Sequence, residues 1–364
     1  MSIKRIAITT GGGDAPGLNG VIRAVTLAAC RRGWECVGIR HGFDGILHAD
    51  EFEDGGTIAL TPSRVRGIGH LGGTILGTTN RGNPFSYRIE LPDGTFENQN
   101  ISGRLLDGFK DLKIDALVAI GGDGTMEIAC QVAELGITVV GVPKTIDNDL
   151  DGTIATFGFD TAVSFATEAI DRLHTTGASH NRVMIVEMMG RHAGWIALEA
   201  GLAGSADVIL IPEIPFDLEK VAAKVNQRNA TKRNFSIISV AEGALPIGGE
   251  ASYKTTGGIA NLGGLGDWVG ENLRPMVPNQ IRTVVLGHLL RGGSPTSRDR
   301  LLALRFGTAA VRALEEGKKG VMVGLNPPKI HHVPLEEATR NMKLVPVDCD
   351  MIQTAEDLGT CMGR

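Results

Sequence analysis

Residues 3–32, IKRIAITTGGGDAPGLNGVIRAVTLAACRR, carry the pattern that decides the fold. An apolar, β-branched run leads into a cluster of glycines, and an apolar stretch of helical period follows. A continuous rather than alternating apolar run implies a strand buried on both faces. The pattern recurs at DALVAIG (115–121), TVVGVP (138–143), RVMIVEM (182–188), DVILIP (207–212), FSIISVAE (235–242), TVVLGHLL (283–290) and GVMVG (320–324). Helix-like stretches over 20–32, 126–135, 162–175, 195–202, 218–228 and 297–316 lie between these runs. Such alternation packs as parallel sheets covered by helices, so the fold class is α/β.

Composition narrows the function classes. A chain of 364 residues, at roughly 100–200 per domain, makes two domains or three. With 42% hydrophobic and 21% charged residues, it is not disordered. No apolar run reaches the ~18 residues of a spanning helix, and the N-terminus lacks a signal-peptide pattern, so the expectation is a soluble, cytoplasmic protein without a membrane role. The five cysteines are odd in number and contain no C-x-x-C, which argues against a disulfide framework and structural zinc. A net charge of −5 provides no field for nucleic acid. Glycine stands out at 50 residues, about twice its usual share. No internal repeat is visible. Residues 50–63, 87–103 and 246–267 read as irregular insertions, the last either a flap or a plain surface loop. The tail beyond Asn326 carries no motif.

Ligands of open parallel sheets bind beyond the carboxyl ends of the strands, so the loops there carry the chemistry. Gly11–Asn19 offers backbone N–H groups and a helix N-terminus to an anion, although it matches neither the Rossmann nor the P-loop fingerprint. A tight structural turn fits it equally well. Gly121-Gly122-Asp123-Gly124-Thr125 adds a hard carboxylate oxygen suited to Mg²⁺; the other reading of Asp123 is a helix cap. Pro143-Lys144-Thr145-Ile146-Asp147-Asn148-Asp149 crowds two acids, an amide, a hydroxyl and a lysine after an apolar strand. Further on come Met189, Gly190, Arg191, Glu242, Arg282, His288 and Arg291. Arginine forks suit phosphate, but a single arginine is usually solvated, and a lone histidine such as His288 is usually a satisfied buried one.

In order and spacing, GGGDAPGLN, GGDGT, PKTIDND, MMGRHAGW, PEIPF and LGHLLRGGSP resemble the 6-phosphofructokinases over roughly residues 3–325. The resemblance implies phosphoryl transfer to the 1-hydroxyl of fructose 6-phosphate, the committing step of glycolysis. Two similar-sized domains are implied, with the active site in the cleft between them. Residues 1–158 plus 290–340 would bind the donor, and 159–289 plus 341–364 the sugar phosphate. Gly13, Gly122, Asp123, Gly124 and Thr125 would cradle the donor phosphates and Mg²⁺, with Asp123 as the metal ligand. Asp147 would be the general base, Lys144 and Arg191 the cations of the transition state, and Thr145 and Asp149 neighbours of the reacting hydroxyl. Met189, Gly190, Arg191 and Glu242 would hold the sugar, and Arg182, Arg282, His288 and Arg291 its 6-phosphate. Arg182 and Arg282 would reach in from a neighbouring subunit of a homo-oligomer.

The resemblance leaves the donor divided between ATP and pyrophosphate. Gly124 is the ATP-type residue, since an aspartate there would fill and repel the α-phosphate, whereas Lys144 is pyrophosphate-type. Gly124 weighs more, because an added carboxylate excludes a donor while an added cation serves either one. The arginine of the family's nucleotide loop is displaced by one in Gly77-Thr78-Thr79-Asn80-Arg81, which makes Arg81 the donor-phosphate candidate. Arg23 matches an effector-site arginine, but Leu27 and His174 replace two others, so weak regulation by ADP or phosphoenolpyruvate is expected. Kinases of diacylglycerol or NAD share GGDGT without needing the set from Arg182 to Arg291. A non-catalytic regulatory subunit would have lost Asp123 or Asp147, and both are present.

Overall fold

The computed structural model describes residues 3–249, 253–256 and 259–364. The chain begins β1 (Arg5–Thr10), α1 (Leu18–Cys30), β2 (Glu35–Ile39), α2 (Asp44–Leu47) and β3 (Thr57–Leu60). A small antiparallel pair follows, β4 (Tyr87–Glu90) and β5 (Phe96–Gln99), then α3 (Ser102–Asp111), β6 (Ala116–Gly121), α4 (Asp123–Glu134), β7 (Thr138–Thr145) and β8 (Phe157–Gly158). Next come α5 (Phe159–His180), β9 (Val183–Met188), α6 (Trp195–Ala203), β10 (Val208–Leu210), α7 (Leu218–Ala230) and β11 (Ser236–Ala241). The antiparallel pair β12 (Tyr253–Thr256) and β13 (Ile259–Leu262) precedes α8 (Leu265–Leu273) and β14 (Ile281–Val285). The last elements are α9 (Ser297–Glu315), β15 (Val321–Asn326), β16 (Lys329–Pro334), α10 (Leu335–Arg340) and α11 (Asp350–Asp357).

Two compact units result: 1–145, 150–158 and 291–342 form the first, and 146–149, 159–290 and 343–364 the second. The sheet of the first unit runs β16-β15-β7-β6-β1-β2-β3, with β8 added to β7. Its centre is parallel, and β3 and β16 close the edges antiparallel. Alternate residues of β1 feed opposite layers. Ile6 and Ile8 pack with Val21, Ile22 and Val25 of α1 and Phe306 of α9, while Ala7 joins Leu105, Phe109 and Met126 on the other face. Both faces are covered, which is why the strand sequences are continuously apolar. The second unit holds the parallel sheet β10-β11-β9-β14. Val183 and Ile185 of its strand β9 pack in one core with Val221 and Val225 of α7 and Val269 of α8.

Three expectations need correction. The stretches read as irregular are partly strands: β3 lies in 50–63, β4 and β5 in 87–103, and β12 and β13 in 246–267, part of which lies outside the described residues. The apolar run TVVLGHLL does not stay a strand; β14 ends at Val285, and Gly287, at φ 49°, starts a 3₁₀ turn over Gly287–Arg291. Residues 146–149, assigned by sequence to the donor domain, cluster with the second unit, because the Lys343 N–H donates to the Asp149 carbonyl (2.8 Å) and Lys343 Nζ to Asn148 Oδ1 (2.9 Å).

Candidate active site

In the first unit, glycine-bearing loops leave the carboxyl ends of β1 and β6 side by side. The Gly11 N–H donates to the Ile120 carbonyl (2.9 Å) and the Gly12 N–H to the Thr79 carbonyl (3.0 Å). Thr125 plugs the space beneath: a Cβ on Gly11 would lie 2.6 Å from its Oγ1, and one on Gly121 only 2.1 Å away. Lys144, 3% exposed, donates from Nζ to the Gly13 carbonyl, so a buried ammonium sits under the loop. Arg291 Nη1 donates to the Asp14 carbonyl (3.2 Å), and its guanidinium occupies the space that a Cβ on Gly13 would need. These contacts tie the two loops together and bring the side chains of Lys144 and Arg291 against the Gly11–Asp14 backbone.

Asp123 opens α4 as its first residue, in the acidic first turn of the helix, with Gly122 at the cap position. Its carboxylate is exposed at the helix N-terminus, as is Gly124, where an added Cβ would meet nothing within 4 Å. Among the described residues no three His, Cys, Asp or Glu side chains gather as a metal site. The described residues therefore present no all-protein cage, but a single exposed carboxylate such as Asp123 is the kind of group Mg²⁺ takes, since it keeps its waters and uses one or two carboxylates plus substrate phosphates. Arg81 is exposed, and its backbone N–H donates to Thr79 Oγ1 at 3.1 Å.

The sequence reading missed a cavity of about 440 Å³ lined by His41, Asp44, His48, Glu51, Phe52, Thr78, Thr79 and Tyr87. It shares a wall with the glycine loop, because Thr78 Oγ1 donates to the Gly12 carbonyl at 2.6 Å. Tyr87 donates to Asp44 Oδ1 (3.1 Å). Burial first, and then the Asp44 charge, push the Tyr87 phenol up to about 12, and burial raises Asp44. Only Tyr87, on the strand hidden in the supposed insertion, could have drawn attention to it.

In the second unit, Asp147, Asn148 and Asp149 are almost wholly buried, at 4%, 4% and 5% exposed. Asn148 holds a left-handed φ of 53°, as does exposed Arg191 at 51°. Glu242 lies where β11 ends, and its Oε1 accepts the N–H groups of Gly190 (3.3 Å) and Arg191 (3.1 Å). Burial pushes the Glu242 carboxyl up to about 7, with the Asp147 and Glu187 charges adding to the rise against those two backbone donors. Met189, Gly190, Arg191, Glu242 and Asp147 therefore belong to one neighbourhood.

Arg182 and Arg282 do not join it. Arg182 immediately precedes β9, and Arg282 is the second residue of β14, so both stand at the amino ends of strands whose carboxyl ends carry the Met189–Arg191 loop and His288. Arg182 Nε is buried without a hydrogen-bond partner, and Arg282 is exposed. His288 is exposed too, contrary to the buried histidine its residue type suggests. At the matched effector positions, Leu27 packs against the core and His174 Nε2 engages the Gly204 carbonyl at 2.7 Å. No helix among the described residues is long and apolar enough to cross a membrane.

Comparison with known proteins gives the family. The phosphofructokinase family model matches residues 5–314. An ATP-dependent 6-phosphofructokinase of Chloroflexus aurantiacus is 51% identical over 99% of this chain and 98% of its own. A pyrophosphate–fructose 6-phosphate 1-phosphotransferase of Amycolatopsis mediterranei is 48% identical over 94% of this chain and 97% of its own. The solved phosphofructokinase of Saccharomyces cerevisiae superposes with a TM-score of 0.77 at 29% identity, over 93% of this chain and 45% of that one. Motif order, the two α/β units and these likenesses agree, and the chain belongs to the phosphofructokinase family.

Proposed function

We propose that this enzyme transfers the γ-phosphoryl group of ATP to the 1-hydroxyl of fructose 6-phosphate, giving fructose 1,6-bisphosphate for glycolysis. The observation that carries the choice of donor is the open space at Gly124, where an added Cβ meets nothing within 4 Å, whereas one on Gly121 would collide with Thr125. That space leaves room for a nucleotide's α-phosphate, and the cavity of about 440 Å³ beside the glycine loop has the volume for a nucleoside. Lys144 does not argue for pyrophosphate, because an ammonium tied to the Gly13 carbonyl neutralises the phosphates of either donor.

The residues divide the chemistry between them. Asp147 accepts the proton of the attacking hydroxyl, a role worth roughly 10²–10⁴ in rate. Thr145 and Asp149 flank it in the chain and complete the PKTIDND turn. Met189 and Gly190 shape the sugar loop, and Glu242 holds both that loop and a sugar hydroxyl. Lys144 and Arg191 place fixed positive charge against a transition state that spreads negative charge over phosphoryl oxygens. Gly13, Gly122, Thr125 and Arg81 line the donor phosphates. When bound at Asp123, Mg²⁺ supplies further neutralisation of the donor. Arg182, Arg282, His288 and Arg291 bind the 6-phosphate, with Arg182 and Arg282 supplied by a second copy of the chain.

Initial rates with fructose 6-phosphate, measured in parallel with ATP and with pyrophosphate at matched Mg²⁺, test the proposal. Turnover with ATP well above that with pyrophosphate is the expected result; the reverse order refutes the donor assignment.

A further inference from the structure

The C-terminal tail, which carries no sequence motif, runs along the PKTIDND turn. Met342 bridges antiparallel to Leu150, and at the next residue the Lys343 N–H donates to the Asp149 carbonyl at 2.8 Å. The same lysine sends Nζ to Asn148 Oδ1 at 2.9 Å, across 195 residues of chain. One residue thus holds two consecutive positions of the turn, through its backbone and its side chain.

Lys343 is itself fixed. Trp195 Nε1 donates to the Lys343 carbonyl at 2.9 Å, and the ammonium lies 5.7 Å from the Trp195 ring centroid, within cation–π range. Two residues on, the Val345 N–H donates to Glu213 Oε1 (2.9 Å), a carboxylate that also accepts the Gly194 N–H (3.0 Å). The tail is therefore anchored to the start of α6 as well as to the turn.

The turn needs such a hold. Asn148 sits at φ 53°, a left-handed conformation that Asn tolerates at some cost. A turn able to relax toward the right-handed region would swing the carboxylate one residue upstream. We propose that Lys343 is a positioning residue: by clamping Asn148 and Asp149 it sets the direction in which the Asp147 carboxylate faces. The proposal rests on the reading of Asp147 as the general base. It assigns Lys343 no contact with the reacting atoms; the lysine acts through the turn.

The test is a double-mutant cycle on the full-length enzyme, with fructose 6-phosphate and MgATP as substrates. Lys343→Met is expected to lower kcat by roughly 10–100-fold, the penalty of a base misplaced by about an ångström, with KM for ATP within about twofold of the parent. Lys343→Arg, which keeps a cationic donor, should recover most of the loss. In an Asp147→Asn background the same Lys343→Met change should cost less than about threefold, since the base it orients is gone. A parental kcat in Lys343→Met, or an equal cost in both backgrounds, overturns the proposal while leaving the base assignment intact. An Asp147→Asn enzyme as fast as the parent instead removes the base assignment, and the positioning role falls with it. Should Lys343→Met fail to fold, Asn148→Gly accepts the left-handed backbone while removing the amide acceptor. It should reproduce the kcat loss, and a parental kcat there refutes the role.

Discussion

Glu242 accepts two backbone N–H groups, and yet burial outweighs those donors and pushes its carboxyl up to about 7. Its carboxyl titrates at an ordinary 4.5 in the unfolded chain, so between that value and about 7 the folded chain keeps a proton the unfolded chain has released. The stability this contributes is fully present below the unfolded value and is lost as pH rises through the folded one. Calorimetry between about pH 5 and 8 should show the parent losing Tm relative to Glu242→Gln, by roughly 2–5 °C. A constant difference would mean that the carboxyl is not held protonated. Gly124 is decided by space and charge. Gly124→Asp puts a carboxylate into open room beside the donor loops, and kcat/KM for ATP should fall by at least about 10²-fold, some 2.7 kcal/mol. Unchanged ATP kinetics would refute the steric reading.

The junction of β6 with α4 shows how tightly an element can depend on one missing side chain. A Cβ on Gly121 would lie 2.1 Å from Thr125 Oγ1 and 2.2 Å from Thr125 Cβ, in a buried position with nowhere to yield. Gly121→Ala should therefore cost about 1–3 kcal/mol in urea unfolding, and Thr125→Ala in the same chain should restore part of it. If the double variant is no more stable than Gly121→Ala, the clash lies elsewhere. This junction was legible because a strand covered on both faces must be continuously apolar and its exit must be glycine-rich. β5 was not, since all four of its residues are exposed and no apolar alternation marks it. The end of β14 was hidden because an apolar run continues through Gly287 into the 3₁₀ turn. Among the candidate site residues, those proposed from motifs could be named in order from the sequence. The role proposed for Lys343 could not, because its partners Asn148 and Asp149 lie far away in sequence and leave no local trace around it.

At the scale of the whole molecule, the arginines proposed for the 6-phosphate, Arg182 and Arg282, stand at the end of the second unit's sheet opposite to the loop proposed for the sugar. Arg182 precedes β9 and the Met189–Arg191 loop follows it, so six strand residues, about 20 Å at ~3.3 Å each, intervene. Arg282 stands at the same amino end, on the neighbouring strand. Two groups that far apart on one rigid sheet do not close on a single hexose phosphate, which is why the proposed 6-phosphate site takes its arginines from a second chain. Reciprocal exchange of this kind is what a two-fold interface provides. The consequence is complementation. Chains carrying Asp147→Asn and chains carrying Arg282→Leu should each be nearly inactive. After dissociation, mixing and reassociation, each hybrid pair holds one doubly defective site and one intact site. Random pairing makes half the dimers hybrids, so activity should return to about a quarter of the parental level. If both residues served the site of their own chain, every site in the mixture would keep one defect and no activity would return.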